Sequence, residues 1–126
     1  MSRILAIALG GSFGALSRYF VSKMIANFTG GSFPWGTLTV NAVGAFILGF
    51  LYVFFDRLIV PDAVKSFMAI GFLGAFTTFS TFALESVNLF RDGEIKYGIM
   101  NILLNNVIGI IAVLAGLFLA RFIFTR

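Results

Sequence analysis

From Met24 to Phe55 the chain contains no charged residue. Pro34 divides this run, and the part after it is long enough to cross a bilayer as a helix. A helix rises about 1.5 Å per residue, against a hydrocarbon core of about 30 Å. Comparable apolar stretches recur along the chain. We read four spans, at residues 3–26, 36–55, 66–90 and 97–120, separated by short polar connectors. No segment sustains the alternation of a membrane strand. The fold class expected is an all-α membrane protein with four transmembrane helices, in a single membrane domain over residues 1–126.

Composition agrees. Hydrophobic residues make up 60% of the chain and charged residues 11%, where a soluble domain carries about 25% charged. The net charge is +4, with the nine basic residues scattered, mostly at the ends of apolar runs. That placement suits headgroups and orientation in a membrane rather than nucleic acid. Cysteine and histidine are absent, which removes disulfides, thiolate and imidazole catalysis, and Cys/His metal sites. Four of the five acids lie in connectors, so no enzyme is expected. The first span begins like a signal peptide, with Arg3 before an apolar run, but apolarity continues past Arg18 to Ala26. This favours a retained helix.

Charge counting leaves topology open. An even number of spans puts Arg3, Arg57, Lys65, Arg121 and Arg126 on one side, with Lys23, Arg91 and Lys96 opposite and Arg18 joining them if shallow. Such a weak bias allows either one orientation or insertion in both, the latter giving an antiparallel dimer. Small residues spaced by four, at Gly10 and Gly14, Ala45 and Gly49, and Ala112, Gly116 and Ala120, mark helix-packing seams. Four short helices enclose little interior, so a pore is expected at a subunit interface.

Polar groups at membrane depth need partners or a function. Asn41 lies inside the second span, as a helix–helix hydrogen bond or as a donor to a ligand. Arg18 either snorkels to the interface or sets a positive vestibule. Glu85 is the one acid well inside an apolar run. It is a proton or cation site, or a structural or vestibular group. Asn101, Asn105 and Asn106 crowd the fourth span, the first two on one face. Residues 71–82 read GFLGAFTTFSTF. Gly71, Gly74, Thr77 and Thr78 favour close approach or a break in the third helix, and a break frees carbonyl oxygens suited to a small hard cation. Phe79 and Phe82 are three apart and face one way, with Ser80 and Thr81 on the neighbouring face. A phenyl edge is positive. Ring edges, hydroxyls and a neutral amide together suit an anion that sheds water without being trapped; simple packing of the two rings is the alternative.

These residues resemble a known family. The words Gly10-Gly11-Ser12-Phe13-Gly14-Ala15 with Arg18, Gly36-Thr37-Leu38 with Val40-Asn41, and Gly71 to Phe82 with Glu85 are similar to the small dual-topology fluoride channels of bacteria and archaea, also called camphor-resistance B proteins. The block Thr77 to Phe82 is the most specific of them. The resemblance implies an antiparallel homodimer in the cell inner membrane, with two pores and passive, selective fluoride efflux. It implies that Phe79 and Phe82 line the fluoride path, that Asn41 donates to the ion, and that Ser80 and Thr81 add hydroxyl contacts. It implies a central sodium held by the backbone carbonyls of Gly74 and Thr77 from both subunits. Asn106 is the closest match to a polar track on helix four, although Ile102 and Ile110 on either side are apolar. Arg18 and Glu85 match a vestibular arginine and the acid after the phenylalanine pair. Two other functions compete. A proton-coupled multidrug-type transporter would use Glu85, but such transporters need an acid on the first helix, and this one has none. A non-transporting scaffold would leave the polar groups unexplained.

Overall fold

The structure, a computed structural model, describes residues 2–125. It contains four helices long and apolar enough to cross a membrane: α1 (Arg3–Thr29), α2 (Trp35–Arg57), α3 (Asp62–Arg91) and α4 (Ile95–Phe124). No strand occurs among the described residues. The helices overrun the expected ends by a few residues, α1 at its C-terminal end and the other three at both ends. The Ser2 hydroxyl accepts from the Leu5 amide at the start of α1. At its far end, Thr29 donates to the Ile25 carbonyl at 2.8 Å. The chain then leaves through Gly30 and Gly31, at φ 64° and 74°, a backbone region that favours glycine.

α3 is the irregular element. It opens with a single α-turn, Asp62–Lys65, and widens into π-helical turns over Ser66–Leu73. A short α-turn, Gly74–Phe76, follows. Thr77 (φ −87°, ψ 155°) and Thr78 (φ −148°, ψ 117°) are then extended. Helical hydrogen bonding resumes over Phe79–Arg91, where the Thr78 hydroxyl accepts from the Thr81 amide at 3.2 Å. This is an N-cap built inside a membrane-length segment.

Two helix pairs carry the packing. α2 lies most extensively against α4, and α1 against the first half of α3. Both seams run over glycines. A methyl group added at Gly10 would sit 2.3 Å from the Phe67 carbonyl oxygen, and one at Gly14 2.1 Å from that of Phe72. On the other seam, Gly49 and Gly116 face the Val113 and Phe46 carbonyls just as closely. Lipid supplies no hydrophobic drive between helices, so such close backbone approach is a main source of attraction. Arg3 ties α1 to α3 through a hydrogen bond to Ser66 at 3.0 Å. Phe33 packs on Trp35 and Tyr97 at one end of the bundle, and Phe124 on Phe50 and Phe54 at the other.

The neighbours Gly10 and Gly11 test this seam. A methyl group at Gly11 meets nothing closer than 3.9 Å. We predict that Gly10→Ala lowers the thermal midpoint of the purified protein, with a cost of about 1–3 kcal/mol as for other overpacked cores. Gly11→Ala should leave the midpoint unchanged or raise it. Equal behaviour of the two variants would place the seam elsewhere.

Candidate functional site

The extended pair Thr77–Thr78 leaves backbone groups without helical partners, and buried backbone groups must be paired. Asn41, reaching across from α2, pairs those of Thr78. Its Oδ1 accepts from the Thr78 amide at 2.8 Å, and its Nδ2 donates to the Thr78 carbonyl at 3.1 Å. One side-chain amide thus stands in for a strand-like neighbour. Asn41 therefore makes the interhelical bond that was one of the two expectations for it.

The same Nδ2 also donates to Asn105 Oδ1 on α4, at 3.0 Å. Asn105 Nδ2 donates to both the Oδ1 and the carbonyl oxygen of Asn101, at 2.8 and 2.9 Å. Asn101, fully buried at 0% exposure, donates to Ser86 Oγ at 2.9 Å. Ser86 in turn donates to the Phe82 carbonyl at 2.8 Å. The chain of bonds leaves α3 at Thr78, crosses α2 and α4, and returns to α3 at Phe82. Its direction is fixed at one point, because the Thr78 amide can only meet an oxygen. That sets Asn41, and each later acceptor sets the next donor.

Beside this network lies an open cleft of about 390 Å³ between α2, α3 and α4. Asn41, Gly74, Thr77, Thr78, Phe79 and Phe82 line it, together with Asn105 and Asn106 and several apolar side chains. No charged residue is among them. Phe79 and Phe82 meet edge to face, their centroids 5.5 Å apart. Their environments differ: Phe82 is 9% exposed and Phe79 is 79% exposed. Gly74, Thr77, Asn41 and Asn106 are thus brought together with both rings. Ser80 and Thr81 do not line the cleft; Thr81 Oγ1 instead accepts from Thr78 Oγ1 at 3.0 Å. Asn106 is exposed, its amide turned back to the Ile102 carbonyl at 2.7 Å.

Arg18 and Glu85 stand outside the cleft. Arg18 reaches from α1 to the Ala75 carbonyl, with Nε at 3.0 Å. It supplies a donor to the turn just before the extended pair, so its position is more than a lone snorkelling cation. Glu85 accepts from the Thr37 hydroxyl on α2. It borders a smaller hollow of about 260 Å³ with Asn88, Asp92 and Glu94.

Asn101, Asn105 and Ser86 were not assigned roles from the sequence. The signal for the two asparagines was present in their shared face, four residues apart. Nothing in the sequence marks Ser86, which reads as an ordinary packing residue until Asn101 is placed against it.

Four apolar helices around an uncharged polar cleft define a small multi-pass α-helical membrane protein. Residues 5–117 match the family described as "CrcB-like protein, Camphor Resistance (CrcB)", and the chain belongs to that family. A relative from Magnetococcus marinus is 46% identical over 118 residues, covering 93% of this chain and 96% of that protein. A second, from Desulforapulum autotrophicum, is 47% identical over 118 residues, covering 93% of this chain and 94% of its own. A third, from Vibrio campbellii, is 48% identical over 111 residues and 87% of each chain. All three relatives bear the name "Fluoride-specific ion channel FluC".

If Asn41 holds the extended pair, Asn41→Ala leaves the Thr78 amide without its partner, a penalty of about 1–3 kcal/mol. The expected result is faster hydrogen exchange at Thr78 and through the Phe79–Phe82 turn, with α1 unaffected. Unchanged exchange at Thr78 would assign the extended pair to some other restraint.

Proposed function

We propose that this chain is a fluoride-selective channel that lets fluoride leave the cell passively, down its gradient. One observation carries the reading. A cleft between three membrane-length helices is lined by neutral amides and two phenylalanine rings and by no charged residue. The names of the relatives support it. Fluoride is small and tightly hydrated, so the barrier to its passage is the loss of water. Neutral donors and positive ring edges replace part of that shell without holding the ion as a lysine would. In this reading Asn41, Phe79, Phe82 and Asn106 line the path within the cleft. Ser80 and Thr81 lie outside the cleft and would add hydroxyl contacts where the path continues beyond the rings. Arg18 and Glu85 keep structural or vestibular roles.

The working unit we propose is an antiparallel dual-topology homodimer with two pores, in the cell inner membrane. A single subunit leaves the cleft open on one side, with Phe79 exposed. A second copy would close it. The third helix is then a broken one at Thr77–Thr78. A sodium ion would be held between subunits by the Gly74 and Thr77 carbonyls. The bonding fits that role. The Thr78 amide is taken by Asn41 rather than by the Gly74 carbonyl, and the Thr81 amide by the Thr78 hydroxyl rather than by the Thr77 carbonyl. Both oxygens are thereby freed as hard ligands for a small cation. The ion would supply local positive charge and cross-link the two α3 segments; the protein's own residues line the path.

Glu85 as a proton-coupling acid is not favoured by its position. It lies outside the cleft and is engaged by Thr37.

Liposomes holding only the purified protein test the reading. They should leak fluoride and retain chloride. Phe82→Ile removes a ring edge, an aromatic contribution of about 1 kcal/mol at each passage, and should slow fluoride efflux by about fivefold or more. Wild-type vesicles that retain fluoride would overturn the channel; normal efflux in the variant would remove Phe82 from the path.

A further inference from the structure

Asn41 has two amide hydrogens, and both are already used. One goes to the Thr78 carbonyl and the other to Asn105 Oδ1. An anion entering the cleft finds no free hydrogen on Asn41 and must displace an acceptor. The Thr78 carbonyl is held in place by backbone. Asn105 is a side chain, and it lines the cleft beside Asn41. Asn105 is also prevented from serving as a donor itself. Its Nδ2 is directed onto two oxygens of Asn101, and Asn101 is completely buried. The α4 relay thus turns only an oxygen toward Asn41.

We propose that Asn105 is a positioning residue whose Oδ1 acts as a built-in stand-in for the anion. In the resting cleft it accepts the Asn41 hydrogen that the ion will take. Asn101 and Ser86 hold it in that orientation. The inference rests on the fluoride-channel reading above and adds what that reading lacks, a reason for weak binding. With the acceptor present, the ion gains only the difference between two hydrogen bonds. With no acceptor, the buried donor would go unsatisfied in the empty cleft, and the ion would gain the whole bond. A channel needs the first arrangement, because an ion bound too well does not leave.

The test uses fluoride efflux from liposomes at a series of fluoride concentrations, reading the half-saturating concentration and the maximal rate separately. Asn105→Leu removes the stand-in. Since a net hydrogen bond corresponds to about fivefold in binding, the half-saturating concentration should fall about fivefold and the maximal rate should fall with it. In an Asn41→Leu background the same change should not move half-saturation. A lower rate with half-saturation unchanged or raised, or a shift that persists without Asn41, would overturn the proposal. Wild-type protein supplies a check independent of folding of the variants. The side-chain amide resonances of Asn41 and Asn105 should shift together as fluoride is added, and stay still with chloride. A shift at Asn41 alone, or at neither while efflux proceeds, would equally overturn it. Failure of the wild type to pass fluoride at all would instead remove the underlying channel reading.

Discussion

The pairing of the Asn41 side chain with both backbone groups of Thr78 is the interaction on which the irregular part of this molecule depends. An extended dipeptide inside an apolar helix exposes groups that lipid cannot satisfy. A neighbouring strand, the usual remedy, is not available to a chain of four packed helices. A carboxamide matches the spacing of a peptide's N–H and C=O and carries no charge. Aspartate would offer no donor and a charge at depth; leucine would offer nothing. The cost of irregular backbone is offset by one side chain from a neighbouring helix, and the third span can then hold an extended pair within it.

The surrounding contacts follow from that extended pair. Thr78 caps the restarted helix through its hydroxyl, and Arg18 reaches over from α1 to the carbonyl of Ala75. Reaching the turn from α1 requires that α1 and α3 lie close, which Gly10 and Gly14 permit. On the other side Gly49 and Gly116 bring α4 against α2, and this sets Asn105 within reach of Asn41. The glycine seams and the polar network are therefore one construction. Neither pair of helices could deliver its polar side chain if a methyl group held the backbones apart.

How much of this was legible in the sequence depended on what kind of interaction fixed it. The four helices were readable because apolar length alone decides them. Their ends were less so: α1 runs on past Ala26 to Thr29, whose hydroxyl makes a side-chain bond that hydropathy does not register. The phenylalanine pair and the threonines stood out as residues that packing in lipid does not need. Asn41 stands out in the sequence as an amide at depth, but no partner for it is visible near it in the chain, because its partners lie 37 and 64 residues away. The role of α4 was the hardest to see. Asn106 was chosen by position, whereas the continuous bonding runs through Asn105 and Asn101. Choosing between adjacent asparagines requires the rotation of α4 about its axis. That rotation is set by the Gly49 and Gly116 contacts, a property of two helices together.

A closed ring of neutral hydrogen bonds also limits what the cleft can do chemically. No member of the Asn41–Asn105–Asn101–Ser86 series gains or loses a proton near neutral pH, so its direction does not depend on the surroundings. Every side-chain donor atom within it has an acceptor, and the series begins and ends on α3, at Thr78 and at the carbonyl of Phe82. The turn that carries Phe79 and Phe82 is thereby gripped at both ends by uncharged groups. Charged clamps would hold it as firmly, but they would place a fixed field across the cleft and favour one sign of ion by attraction. Neutral clamps leave discrimination to geometry: the reach of an amide hydrogen and the angle of a ring edge. Those are short-range features, and they favour an ion small enough to approach them closely after losing its water.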